Sequence, residues 1–166
     1  MRRRNFLIFS TILSLSPYIK AKEVDKFKKD FKKVEILIKA VQTHMFPAQS
    51  KIPSALSMNV TEFLLKTVMH KSYDRDIRDF VLEGAKELAK REKGHFVAMS
   101  DDEKERALRA YEETNYGSSW LARIMTLTME AMFSDPIYGS NIKEQGWKAL
   151  NAYGGLPRPK TRYLNL

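Results

Sequence analysis

Residues 24–45 read VDKFKKDFKKVEILIKAVQTHM, and this stretch decides the fold. Val24, Phe27, Phe31, Val34, Ile38, Val41 and Met45 recur at spacings of three and four, which places them along one face of a helix. Lys26, Lys28, Lys29, Lys32 and Lys33 fall on the other face, among Asp25, Asp30 and Glu35. An amphipathic segment of this kind buries its apolar stripe against other elements and turns its charges to water. The basic strip can also touch phosphates or lipid head groups, but the interspersed acids favour a solvated outer face.

The same period runs through the rest of the chain. Phe46-Pro47 closes the first helix, and the Pro-, Ser- and Gln-containing stretch to Met58 reads as a loop. Asn59 is positioned to cap a helix carrying Val60, Phe63, Leu64 and Val68. A third helix carries Ile77, Phe80, Val81, Ala85 and Leu88 and ends near Lys93-Gly94. Ser100 with Glu103 three residues on is a capping-box pattern, and Asp101 and Asp102 suit the positive end of that helix. Tyr116-Gly117 reads as a turn, with Ser118 or Ser119 opening a fifth helix through Leu121, Ile124, Met125, Thr128 and Met132. No stretch alternates with a period of two. The expectation is an all-α single domain of five to six helices, followed by an irregular tail from Gly154-Gly155 onward with Pro157 and Pro159.

Length and composition agree with one small domain. The chain has 166 residues, 43% of them hydrophobic, enough to build a core and exclude a wholly disordered chain. There is no Cys, which excludes disulfides, thiolate metal sites, iron–sulfur ligation, covalently attached c-type haem and a Cys nucleophile in this chain. The net charge is +9, from 29 basic and 20 acidic residues.

Part of that charge lies in residues 1–21, MRRRNFLIFSTILSLSPYIKA. Three arginines precede an apolar stretch from Phe6 to Leu15, Pro17 breaks it, and Ala21 offers a small residue before a charged run. This is the order of an export signal, and the stretch is shorter than the ~20 apolar residues a membrane span needs. Arg3, Arg4, Phe6 and Leu7 resemble the twin-arginine signal, which directs proteins that are already folded; Arg2 and Ile8 depart from its flanking pattern. Residues 1–21 are therefore expected to be a signal and 22–166 the helical domain. Removal after Ala21 takes four basic residues and no acidic ones, leaving 25 basic against 20 acidic. That balance is only mildly basic, and no nucleic-acid partner is expected.

Catalytic patterns are sparse. His44, His70 and His95 are far apart in sequence and none is paired on a helix face. There is no glycine-rich phosphate loop and no nucleophile flanked by glycines. No catalytic, cofactor-binding or metal-binding residue is assigned. The densest information lies in residues 127–150, LTMEAMFSDPIYGSNIKEQGWKAL. Asp135-Pro136 starts a turn, Gly139 suits a left-handed conformation, and Asn141 is placed to cap a helix carrying Trp147 and Leu150. Phe133, Tyr138 and Trp147 cluster about one loop. On the residues alone, a packed helix–turn–helix connection and a partner-contacting loop both remain open.

Leu127, Thr128, Glu130, Phe133, Asp135, Pro136, Tyr138, Gly139, Asn141, Gly146, Trp147 and Lys148 resemble the signature of the gluconate 2-dehydrogenase subunit 3 family. Its members typically read Leu-Thr-x-Glu, then Phe, then Asp-Pro-x-Tyr-Gly-Gly-Asn and Gly-Trp. Ser140, Ala131 and the ending Tyr153-Gly154-Gly155-Leu156-Pro157 depart from the usual pattern. The resemblance implies a non-catalytic small subunit of a periplasmic, membrane-associated sugar or sugar-acid dehydrogenase. In such complexes a large flavoprotein subunit holds FAD, and a cytochrome c subunit with c-type haem passes electrons onward. The small subunit is thought to escort the folded flavoprotein through the twin-arginine translocase. The expected partner-interface residues are Phe133, Asp135, Tyr138, Gly139, Asn141 and Trp147. The alternative from a different class is a free-standing basic helical module binding nucleic acid or anionic membrane through the lysine strip of residues 26–33.

Overall fold

The computed structural model describes residues 25–162, and the proposed signal residues Arg3, Arg4, Phe6 and Leu7 lie outside them. Among the described residues there are six α-helices and no strand. The first, α1, spans residues 25–45, as the apolar spacing predicts. Its lysines 26, 28, 29, 32 and 33 are exposed, while Phe31, Ile38 and Val41 are fully buried. Lys33 Nζ donates to Asp30 Oδ1 at 2.7 Å, so the acids within the strip meet some of its charge locally. No helix is long and apolar enough to cross a membrane among the described residues.

After one 3-10 turn at Ala55–Met58 come α2 (Val60–Met69), α3 (Arg75–Arg91), α4 (Asp101–Glu112), α5 (Asn115–Phe133) and a short α6 (Gln145–Ala149). The central element is α5, which packs against α2, α3, α4 and α6. Trp120 of α5 is fully buried and its indole N–H donates to Val81 O at 3.1 Å. The indole lies against Gly84 of α3, where any Cβ would collide with it. That close approach explains a glycine in the middle of a 17-residue helix, where it would otherwise cost about 1 kcal/mol relative to Ala.

A buried polar chain ties three helices together. Thr61 Oγ1 of α2 donates to Gln42 Oε1 of α1 at 2.6 Å, and Gln42 Nε2 donates to Thr128 Oγ1 of α5 at 2.9 Å. Thr128 in turn donates to Ile124 O at 2.7 Å. Every polar atom of Gln42 is thereby matched inside the core, which fixes the rotation of α1 against α5, because a shift would leave buried groups unpaired.

The helix ends follow local chemistry, with two corrections. The capping box at Ser100 and Glu103 is present in both directions. Helix α5, however, opens at Asn115 rather than at Ser118 or Ser119, capped by Thr114, whose hydroxyl accepts from Gly117 N at 2.9 Å. Tyr116 and Gly117 are thus inside the first turn. Gly117 is required by proximity rather than by a turn, since a Cβ there would collide with the carbonyl of Tyr111. At α2, Asn59 occupies the N-cap position in a left-handed conformation (φ 53°), but its side chain makes no cap bond. Its amide instead donates to Gly139 O at 3.4 Å, reaching across to the C-terminal loop.

Candidate functional site

Helix α5 stops at Phe133, and the chain then makes two tight turns before α6. Asp135 caps the first, its Oδ1 accepting from Ile137 N at 3.0 Å, and Pro136 follows where a missing N–H costs nothing. Gly139 ends that turn at φ 89°, the left-handed region the sequence predicts for it. Beyond it the backbone is strained: Asn141, Lys143 and Glu144 all have positive φ. Each such residue costs of order 1–3 kcal/mol and persists only where its surroundings hold it.

The holding groups are identifiable. Asn141 is fully buried, its Nδ2 donating to Ser134 O at 2.8 Å and its Oδ1 accepting from Gly146 N at 2.9 Å. It therefore bridges from the end of α5 to the start of α6 rather than capping a long helix. Leu150, expected on that helix, lies just beyond its end and is 53% exposed. Lys148 Nζ donates to Lys143 O at 2.8 Å. Trp147 is buried and its indole N–H donates to Phe133 O at 2.7 Å, closing the loop back onto α5. The hydroxyls of Ser134 and Ser140 meet at 2.9 Å, so Ser140 supplies a contact that a glycine there would lack. Gly146 passes so close to Met132 O that no Cβ fits.

Arg158, from the irregular tail, locks the outside. One guanidinium nitrogen sits 2.9 Å from Asp135 Oδ2, the other pairs with Glu144, and the guanidinium lies 4.3 Å from the Trp147 ring centroid. Charge-assisted bonds to two carboxylates combine here with a cation–π contact. Arg162 Nε also donates to Ile137 O at 2.6 Å. Sequence reading missed Arg158, because nothing local marks an arginine between two prolines as the partner of residues 14 and 23 positions earlier.

The loop rests on a small second core. Phe133, Tyr138 and Ile142 pack with Phe46 and Ile52 against Ala55, Met58, Val60, Phe63, Ala131 and Met132. Phe133, Asp135 and Tyr138 are half-buried, Gly139 is exposed, and Asn141 and Trp147 are inside. All six expected interface residues thus belong to one folded unit.

Two charged groupings lie elsewhere. Glu130 of α5 is held above its ordinary 4.5 by burial of its carboxyl, opposed by Arg123 and by the Tyr73 hydroxyl. His44 Nε2 lies 2.8 Å from Glu105 Oε2, joining the end of α1 to α4, and hydrogen bonds from His44 and Arg109 hold the Glu105 carboxyl below its ordinary value. Among the described residues, no three His, Asp or Glu side chains converge to hold a metal ion.

This loop, with its strained turn, caged Asn141 and buried Gly146-Trp147 pair, is the segment on which the family resemblance rests. Comparison with protein families matches residues 32–155 to Gluconate 2-dehydrogenase subunit 3. The chain belongs to that family. The match extends from α1 to Gly155, so the helical body is included as well as the loop. No curated protein and no solved structure matches the chain. Membership makes the chain a subunit-type component of a gluconate 2-dehydrogenase, with dehydrogenase partners implied.

In this subunit 3 chain, several signature positions have structural reasons. Thr128 is the α5 node of the Gln42 chain, Asp135 starts the turn and anchors Arg158, and Gly139 takes the left-handed corner. Asn141 cages the strained backbone, Gly146 allows close approach, and Trp147 closes the loop.

Proposed function

We propose that this chain is the non-catalytic small subunit of a periplasmic, membrane-associated, FAD-dependent dehydrogenase complex. It escorts the folded flavoprotein subunit through twin-arginine export and stabilises it afterwards. The observation that carries the reading is the family match over residues 32–155. The Arg3-Arg4-Asn5-Phe6-Leu7 sequence supports the export route. In this reading FAD belongs to the large subunit and c-type haem to the cytochrome subunit, and neither is held by this chain. Oxidation of the sugar acid and onward electron transfer then take place in the partners, while this subunit supplies address, fold and contact surface. At the aromatic loop, Phe133, Asp135, Tyr138 and Gly139 contribute to the partner contact, and Asn141 and Trp147 fix its shape from behind.

The test replaces Arg3 and Arg4 together by Lys, leaving the charge unchanged. Both this chain and the flavoprotein should then accumulate in the cytoplasm, with dehydrogenase activity lost from the periplasmic side. A flavoprotein that still reaches the periplasm in normal amount would overturn the escort role.

A further inference from the structure

The Arg158 guanidinium sits among three groups built to receive it. Its Nη1 lies 2.9 Å from Asp135 Oδ2, its Nη2 meets Glu144, and its centre is 4.3 Å from the Trp147 ring centroid. The receiving groups are set by the loop and not by the tail. Asp135 caps the turn after α5, Glu144 offers its carboxylate from a left-handed backbone position (φ 62°), and Trp147 is pinned through its indole N–H to Phe133 O. Backbone strain of this kind is kept where it positions a ligand clamp. The chemistry is selective. A planar guanidinium can donate to two carboxylates and cover an aromatic ring at once, which a lysine ammonium cannot. Two carboxylates repel phosphate, so neither nucleic acid nor anionic lipid fits here.

The tail that fills this site is lightly held. No backbone–backbone hydrogen bond joins residues 153–160 to other described residues. Gly154-Gly155, with Gly155 at φ 79°, gives the tail a pivot between α6 and Arg158. The family match takes in Asp135, Glu144 and Trp147 but ends at Gly155, before Arg158. The receiving groups thus lie inside the family unit, and the group that fills them lies outside it. We propose that Asp135, Glu144 and Trp147 form a recognition site for an arginine side chain, plugged by Arg158 until an arginine of the flavoprotein subunit takes its place. The tail is then a strap that closes the site in the free chain. A plug of the same chemistry weakens the apparent affinity for the incoming arginine by the fraction of time the plug is in place. Asp135 already belongs to the partner contact proposed above, and the inference deepens that reading and rests on it.

Two measurements on the full chain test the site and its occupant separately. In the first, purified Arg158→Ala is titrated with N-acetylarginine amide, followed by tryptophan fluorescence, with N-acetyllysine amide as the control. The arginine compound alone should bind saturably, and at least about tenfold more weakly once Glu144→Gln is added. In the second, wild type and Arg158→Ala carry different tags and compete for limiting flavoprotein in one cell, and each is then isolated gently from the membranes. Arg158→Ala should recover at least about fivefold more flavoprotein, because the plug is gone. Arg158→Ala/Glu144→Gln, set against Arg158→Ala in the same way, should lose that gain. A purely structural ion pair gives the opposite sign, since removing Arg158 could only weaken the loop and its contacts. Circular dichroism checks the fold of each variant. Should the double variant lose its helical spectrum, Arg158→Ala/Asp135→Asn repeats the measurement, since an Asn oxygen can still accept from Ile137 N. Recovery by Arg158→Ala at or below that of wild type overturns the plug. Failure of Arg158→Ala to bind the arginine compound overturns the arginine site. If that compound binds but neither wild type nor Arg158→Ala brings down a flavoprotein, the subunit reading is overturned, and with it the flavoprotein as the source of the arginine.

Discussion

Replacing Asn141 by Ala should unlatch the C-terminal loop. The side chain makes two internal bonds, to Ser134 O at 2.8 Å and from Gly146 N at 2.9 Å. Its removal strands a buried N–H and a part-buried carbonyl, and each unmatched buried group costs about 1–3 kcal/mol, with the carbonyl toward the lower end. Asn141 also sits at φ 50°, and Ala tolerates the left-handed region less well by about 1 kcal/mol. The sum is about 3–5 kcal/mol against a total stability of about 5–15 kcal/mol for a typical domain. For a chain of this size that lowers Tm by roughly 6–20 °C. Urea unfolding followed by circular dichroism, alongside the fluorescence of Trp120 and Trp147, measures the effect. Asn141→Gly should lose about 1 kcal/mol less than Ala, because it accepts the backbone conformation while losing the same bonds. Asn141→Asp should be at least as damaging as Ala near neutral pH, because it buries a carboxylate and turns one of its oxygens toward the Ser134 carbonyl. If Asn141→Ala unfolds within about 1 kcal/mol of wild type, the claim that these bonds hold the strained turn is refuted.

The remaining predictions concern the tail and the His44–Glu105 contact. Arg158→Ala removes the ion pairs to Asp135 and Glu144 and the contact with Trp147. Global stability should change by only about 1–2 kcal/mol, since these groups are partly exposed, but chymotrypsin should cut after Tyr153 several-fold faster; an unchanged cleavage rate would contradict the lock. Glu105 is held below its ordinary 4.5 by hydrogen bonds from His44 and Arg109, so near that pH the folded state binds fewer protons than the unfolded one. Its contribution is intact above pH 4.5 and is lost as pH falls through the lowered folded value. The urea midpoints of wild type and Glu105→Gln should therefore differ near neutrality and converge in acid, and a gap that widens on acidification would oppose the assignment.

What could be read in the sequence was whatever rests on local chemistry. The 25–45 helix is written in its apolar spacing, and Ser100 with Glu103 specifies its own helix start. Gly139 takes the positive φ that its place after Asp135-Pro136 suggests. Positions set by tertiary proximity were not legible. Gly117 looks like a turn residue but sits inside α5, because its lack of a side chain serves the approach to Tyr111 O. Asn141 looks like a helix cap, yet its partners are Ser134, seven residues back, and Gly146, five ahead. Arg158 carries no local signal, since its partners meet it only after the loop has folded. The signature therefore marked the strained loop in the sequence, while the buried roles of Asn141 and Trp147 needed three dimensions to be seen.

The claim that this chain is the small subunit of a flavoprotein dehydrogenase is tested most directly by isolating it gently from native membranes. The absorption spectrum of the isolate and the identity of its partners are then recorded. The account requires a co-purifying flavoprotein with a flavin spectrum, together with a cytochrome showing c-type haem bands. A folded chain recovered alone, or bound instead to nucleic acid through its basic α1 face, would contradict it.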